Sequence, residues 1–147
     1  MSNIFDMEEA MAFREKTAWI TLVCTLLVYG GYFVAFSQAT AAGRSSRLVG
    51  GITLAVVVYV VLQVALMIVA AATAPKEAQA PADEREHEIQ VRARAGAFYV
   101  LQLAGIAAVA SVHFSDKWVV ANAMFAALIL AELARNLFVI VGYRRGV

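Results

Sequence analysis

Proline occurs twice and cysteine once in the 147 residues. The lone Cys24 excludes a disulfide within the chain and a cysteine-built metal cage. It lies in an apolar run and reads as a small packing residue. Both prolines, Pro75 and Pro81, fall in one polar stretch, so long helices elsewhere meet no breaker. Charge is scarce: 16% of residues are charged and the net charge is +1. Bulk electrostatics therefore single out neither nucleic acid nor acidic partners, and direct nucleic-acid binding is not expected. Strand-type alternation is missing, which argues against a β-barrel. A Gly-rich phosphate loop after a strand and a nucleophile–base spacing are also missing. The chain is expected to be no enzyme, with no cofactor and no metal.

What is abundant is apolar surface. Hydrophobic residues make up 62% of the chain, and the mean hydropathy is +0.73. Soluble domains hold roughly 45–50%, and a small one lacks the interior to bury the surplus. Lipid is the solvent that fits. Spanning hydrocarbon takes about 20 mostly apolar residues. Four stretches qualify, at about 17–36, 48–74, 95–114 and 118–143. The expected fold class is all-α: an integral membrane four-helix bundle forming one membrane domain. Acidic residues Asp6, Glu8, Glu9 and Glu15 precede the first span, where a signal peptide wants a basic start. That span is therefore read as retained.

The connections differ. Residues 37–47 are small and polar, and Ser115-Asp116-Lys117 is a tight turn that makes the last two spans a hairpin. Residues 75–94 form a polar linker and a stalk for the third helix, with 75–81 read as flexible. Arg14, Lys16, Lys76, Arg85, Arg92, Arg94, Arg144 and Arg145 lie on one side, against Arg44, Arg47 and Lys117 on the other. The richer side is cytoplasmic by the positive-inside rule, which gives a multi-pass protein with N-in and C-in. Trp19 and Tyr143 suit the inner boundary, Tyr32 and Trp118 the outer one.

Asp6-x-x-Glu9 precedes the first span and Asp83-x-x-Glu86 the third, each in the pattern of a capping box. Basic residues follow both. Two parallel-repeat helical hairpins are one reading of this; the plainer one is that any inward-starting helix needs a cap and basic flanks.

The sharpest signal is Glu132, Arg135 and Asn136 inside the fourth span. Ionisable residues at that depth face a bundle interior or a wet cavity. Glu132 and Arg135 are three apart and share a face. Small residues Ala123, Ala127 and Ala131 continue the Arg135 row. Tyr59 and Gln63, Tyr99 and Gln102, and Thr25 and Tyr29 lie at similar depth in the other spans. An intramembrane polar cluster is expected, with Gln63 and Gln102 as partners of the charged pair. It serves as a register-fixing network, a ligand site or an ion path. The run Asp83-Glu84-Arg85-Glu86-His87-Glu88 is a solvated helix start or a docking surface. A metal site of His87 with Glu84 and Glu88 lacks a further strong ligand. His113 has no second histidine on its side, so a haem role is not expected.

Arg14-Glu15-Lys16-Thr17-Ala18-Trp19-Ile20 leads to Tyr29-Gly30-Gly31-Tyr32-Phe33; Asp83-Glu84-Arg85-Glu86 leads to Ile89, Arg92 and Ala93; Leu130-Ala131-Glu132 and Tyr143-Arg144-Arg145-Gly146 close the chain. Together these motifs, over nearly the whole chain, resemble a group of small proteobacterial four-helix membrane proteins. They are also similar to the wider domain-of-unknown-function membrane families with an Asp-Glu-Arg-Asp/Glu motif before an inner helix. Such proteins are often encoded beside a small helix-turn-helix regulator. The resemblance implies a bacterial inner-membrane partner that holds or releases that regulator. Some relatives carry histidines where this chain has Met67-Ile68-Val69-Ala70, which counts against haem or metal here.

The leading expectation is a small regulatory or sensory inner-membrane protein. Arg14, Glu15, Lys16, Asp83, Glu84, Arg85 and Glu86 would form its surface for a cytoplasmic regulatory protein. The rivals are a transporter or channel module and an accessory subunit of a larger membrane complex. Small-residue faces point to a homo-oligomer in the bilayer, a dimer first.

Overall fold

The computed structural model describes residues 13–43, 49–79, 83–113 and 115–145. Asp6 and Glu9 of the first capping pattern, Arg44 and Arg47, Pro81 and Gly146 lie outside them. The described residues form five α-helices: α1 (Phe13–Ala41), α2 (Val49–Thr73), α3 (Pro75–Gln79), α4 (Glu84–Ala110) and α5 (Lys117–Arg145). A 3-10 turn, Ser111–His113, follows α4. Among the described residues there is no strand. Four of the helices are long and apolar enough to cross a membrane. The fold is an all-α four-helix bundle, and by length and composition the chain is a multi-pass membrane protein.

Each end has a local cause. Gly43 stands at φ +67°, and its N–H donates to the Thr40 carbonyl at 3.0 Å, a left-handed stop that costs glycine no steric strain. The second capping box forms as expected. Asp83 Oδ1 accepts from the Arg85 N–H at 3.2 Å, and Glu86 Oε2 accepts from the Asp83 N–H at 3.3 Å. Ser115 and Asp116 make the short return, and the Asp116 carbonyl opens α5 by accepting from Val119 at 2.9 Å. Within the segment expected to be a flexible linker, Pro75–Gln79 is the short helix α3. Proline is pre-shaped for a first helical position, and the residues after it are good helix formers.

The helices do not form a symmetric ring. α4 and α5 make the most extensive contact, while α1 bridges α5 and α2. α2 is the most apolar helix and the least covered, packing on α1 and the α3 end. Its uncovered valines and leucines suit lipid, which solvates them without cost.

Two apolar clusters hold the bundle. One joins Ala18 and Leu22 of α1, Ile89 and Ala93 of α4, and Val139 and Ile140 of α5. It lies at the end where α1 and α4 begin and α5 finishes, here called the basic end. The other joins Tyr29 and Tyr32 of α1, Ala55 of α2 and Ile129 of α5, with Phe33 and Phe125 packed on it. Tyr29, Tyr32 and Phe33 all meet the Phe125 ring, with centroids 5.3–6.3 Å apart.

Tyr32, read from the sequence as an outer-boundary tyrosine, is buried among the helices. It turns inward, and its hydroxyl donates to Asn122 Oδ1 at 2.6 Å. The Asn122 amide in turn donates to the Trp118 carbonyl at 2.9 Å. Tyr32→Phe should strand that acceptor and cost about 1 kcal/mol. Reversible unfolding in mixed micelles measures it; a loss indistinguishable from zero would mean the bond contributes nothing.

Candidate functional site

Between the two clusters lies a polar layer. It is built where α1, α2 and α5 place polar side chains at one depth. On α5, Arg135 forks onto Glu132. Its Nη2 donates to Oε1 at 2.6 Å, and its Nε donates to Oε2 at 3.2 Å. Buried Asn136 donates to the Glu132 carbonyl at 2.8 Å and to Oε1 at 3.1 Å. The i, i+3, i+4 spacing of a helix produces all of these contacts. The sequence-expected trio is therefore a self-bonded unit.

α1 contributes Thr21 and Thr25. Thr25 is fully buried, and its hydroxyl donates to the Thr21 carbonyl at 2.7 Å. The Tyr59 hydroxyl of α2 lies 3.3 Å from it. Gln63, one turn along α2, donates from Nε2 to Thr21 Oγ1 at 2.6 Å. Its other amide atom, Oε1, is buried with no donor among the described residues. Gln63 and Tyr59 thus join the layer through threonines of α1, which sequence reasoning had not paired with them.

Gln102 and Tyr99 do not join it. Both stand uncovered on the outer side of α4, Tyr99 at 66% exposure. The buried side of α4 is instead Ile89, Ala93 and Ala97. Small residues let α5 come close and so take the interface. A Cβ on Gly96 would lie 2.5 Å from the Phe138 ring, which shows how tight the approach is. Gln102 and Tyr99 had the right depth and the wrong side of the helix. Gln90, seven residues before Ala97, had the right side.

Gln90 lines a polar cavity of about 130 Å³ at the basic end of the layer. Its walls are Arg14, Thr17, Ala18, Thr21, Met67, Gln90, Arg135, Asn136 and Val139. It collects residues from all four long helices. No acidic side chain is among them. Two other hollows, between Ile89 and Arg145 and between Thr25 and Leu133, have apolar walls for the most part.

Below the cavity, the charged residues expected to face a partner largely face one another. Arg14 Nε lies 3.3 Å from Glu86 Oε2, and the Tyr143 hydroxyl donates to Glu86 Oε1 at 3.1 Å. Arg85 donates to the Tyr143 carbonyl at 3.3 Å. Arg144 donates to Glu15 at 3.4 Å and lies over the Trp19 ring. This clasp ties α1, α4 and α5. Glu15, read as a surface residue, is buried. Lys16 is half-buried. Of the run expected to dock a partner, Asp83, Glu84, Arg85, His87 and Glu88 are open, the last paired with Arg92 at 2.6 Å. Residues 14 and 86 are far apart in sequence, so no local pattern announced their pairing. Among the described residues, no group of three His, Cys, Asp or Glu side chains is arranged to hold a metal ion.

The chain matches no protein-family model, no curated protein and no solved structure.

Proposed function

We propose that this is a small regulatory or sensory protein of the bacterial inner membrane. Both termini face the cytoplasm, and the chain performs no reaction of its own. The basic end binds a soluble partner, and the bundle controls that end. One observation carries the reading: Arg14 belongs to two structures at once. It holds Glu86 in the clasp, and it forms part of the cavity wall beside Arg135 and Asn136. An anionic occupant of the cavity would share Arg14 with Glu86. The clasp in turn sets how α4 presents Glu84, His87 and Glu88, whose side chains are open.

The resemblance to proteins encoded beside helix-turn-helix regulators supports a regulator as the partner. Transport is the rival reading. In the half of the bundle away from the cavity, Tyr29, Tyr32 and Phe33 pack edge-on or tilted against Phe125, an apolar cluster that supports regulation over a polar through-path.

A photo-reactive residue placed at His87 in native membranes tests the proposal. We expect an adduct with one soluble protein. Adding Glu84→Lys and Glu88→Lys should remove the adduct, and Glu86→Gln, which loosens the clasp, should change its yield severalfold. An adduct that ignores both changes would sink the reading, as would the absence of any protein adduct.

A further inference from the structure

We infer that the cavity at the basic end binds a phosphate group. The inference deepens the regulatory reading, because it names what would act on Arg14. Three features converge on it.

The first is charge. Two guanidinium groups, Arg14 and Arg135, help form the wall, and no carboxylate does. Each arginine is steadied by an acid that is not part of the wall, Glu86 for Arg14 and Glu132 for Arg135. Those contacts use Nε of Arg14 and Nε and Nη2 of Arg135. A guanidinium carries five N–H donors in a planar fork, so both keep donors to spare. Planar forks of this kind match phosphate oxygens.

The second is neutral hydrogen bonding. Thr21 Oγ1 already accepts from Gln63, which leaves its own hydrogen to donate. Gln90 adds an amide to the same wall, whereas the Asn136 amide already donates to the Glu132 carbonyl and carboxylate. A purely apolar ligand would leave the Thr21 hydroxyl and the Gln90 amide without partners. A tetrahedral oxyanion satisfies them, and the space is sufficient for one phosphate group.

The third is access. α2 contributes Met67 to the wall, yet it packs on α1 and makes no extensive contact with α4. The side between α2 and α4 therefore lies open towards lipid at the level of Arg14. Basic pockets between membrane helices at that level suit phosphate headgroups. The same phosphate chemistry also admits a free anion from the aqueous side, and the two sources are separable.

The full chain is reconstituted in nanodiscs of phosphatidylcholine alone, of phosphatidylcholine with added inorganic phosphate, and of phosphatidylcholine with phosphatidylglycerol. The thermal unfolding midpoint and the phosphorus NMR line of the added species are read in each. We expect one of the two additions to raise the midpoint and to broaden or shift its phosphorus line. A response to phosphatidylglycerol assigns a lipid headgroup, and a response to inorganic phosphate assigns a soluble anion. Either supports the site.

Arg14→Gln should weaken the response at least tenfold in the concentration required. Gln90→Glu removes no residue of the clasp, puts a carboxylate on the wall, and should do the same. Arg92→Gln, a surface arginine outside the cavity, should leave it unchanged. Absence of a response to both additions in folded wild-type protein would overturn the inference, and so would equal responses from wild type, Arg14→Gln and Gln90→Glu. Loss of phosphate binding with the His87 adduct still formed would reject this site and leave the regulatory proposal standing.

Discussion

Glu132→Ala is expected to destabilise the bundle by about 3 kcal/mol, more than its partner variant Arg135→Ala. Both break one ion pair, but they strand different charges. Without Glu132, the Arg135 guanidinium loses both hydrogen bonds of its fork. It cannot discard its charge, because a guanidinium does not deprotonate in proteins. Without Arg135, the Glu132 carboxyl can bind a proton and become neutral, and Asn136 still donates to it. The double change Glu132→Leu with Arg135→Leu should cost less than either single change, within about 1 kcal/mol of wild type. It removes both charges and fills the space with apolar atoms. Denaturant titration in mixed micelles gives the ranking. A double variant as damaged as Glu132→Ala would show that the pair contributes more than mutual neutralisation.

Gly142→Ala is expected to cost about 2 kcal/mol, even though alanine is the better helix former by roughly 1 kcal/mol. A Cβ at 142 would come within 2.7 Å of Ile89 Cγ2 and 3.2 Å of its Cγ1. Ile89 is 3% exposed and β-branched, so it has nowhere to turn and few rotamers to choose from. Gly96→Ala is the control. Its Cβ would meet the Phe138 ring at 2.5 Å, a closer clash on paper. Phe138 is 43% exposed, and its ring can swing towards lipid. That variant should fall within about 0.5 kcal/mol of wild type. Should both alanine variants unfold alike, the rigidity assigned to Ile89 is wrong.

Legibility followed the range of the interactions. The four long helices were readable because twenty-residue apolar runs leave few alternatives. The Asp83–Glu86 cap and the Glu132–Arg135–Asn136 trio were readable because helical spacing alone brings those atoms together. Rotation about each helix axis was not readable. Depth placed Gln102 beside Glu132, and only the alanine–glycine contact of α4 with α5 turns Gln102 outward. Tyr32 looked like a boundary tyrosine because its partner, Asn122, is ninety residues away. The clasp was misread for a related reason. Arg14, Glu15 and Glu86 are solvated charges when each segment is taken alone. Helix packing brings Arg14 to Glu86 and Arg144 to Glu15, and it buries Glu15.

The hub position of α5 has a consequence for the order of synthesis. α5 is the last of the four long helices to leave the ribosome, yet α4 packs on it most and α1 packs on it closely. While it is still unmade, α1 has α2 as its neighbour and α4 has no comparable one. The bundle therefore cannot close segment by segment as the chain emerges. The cluster at the basic end is complete only once Val139 and Ile140 have been added. A product truncated after α4 would keep the α1–α2 contact and leave α4 without its main neighbour. The final helix thus completes the packing of both α1 and α4.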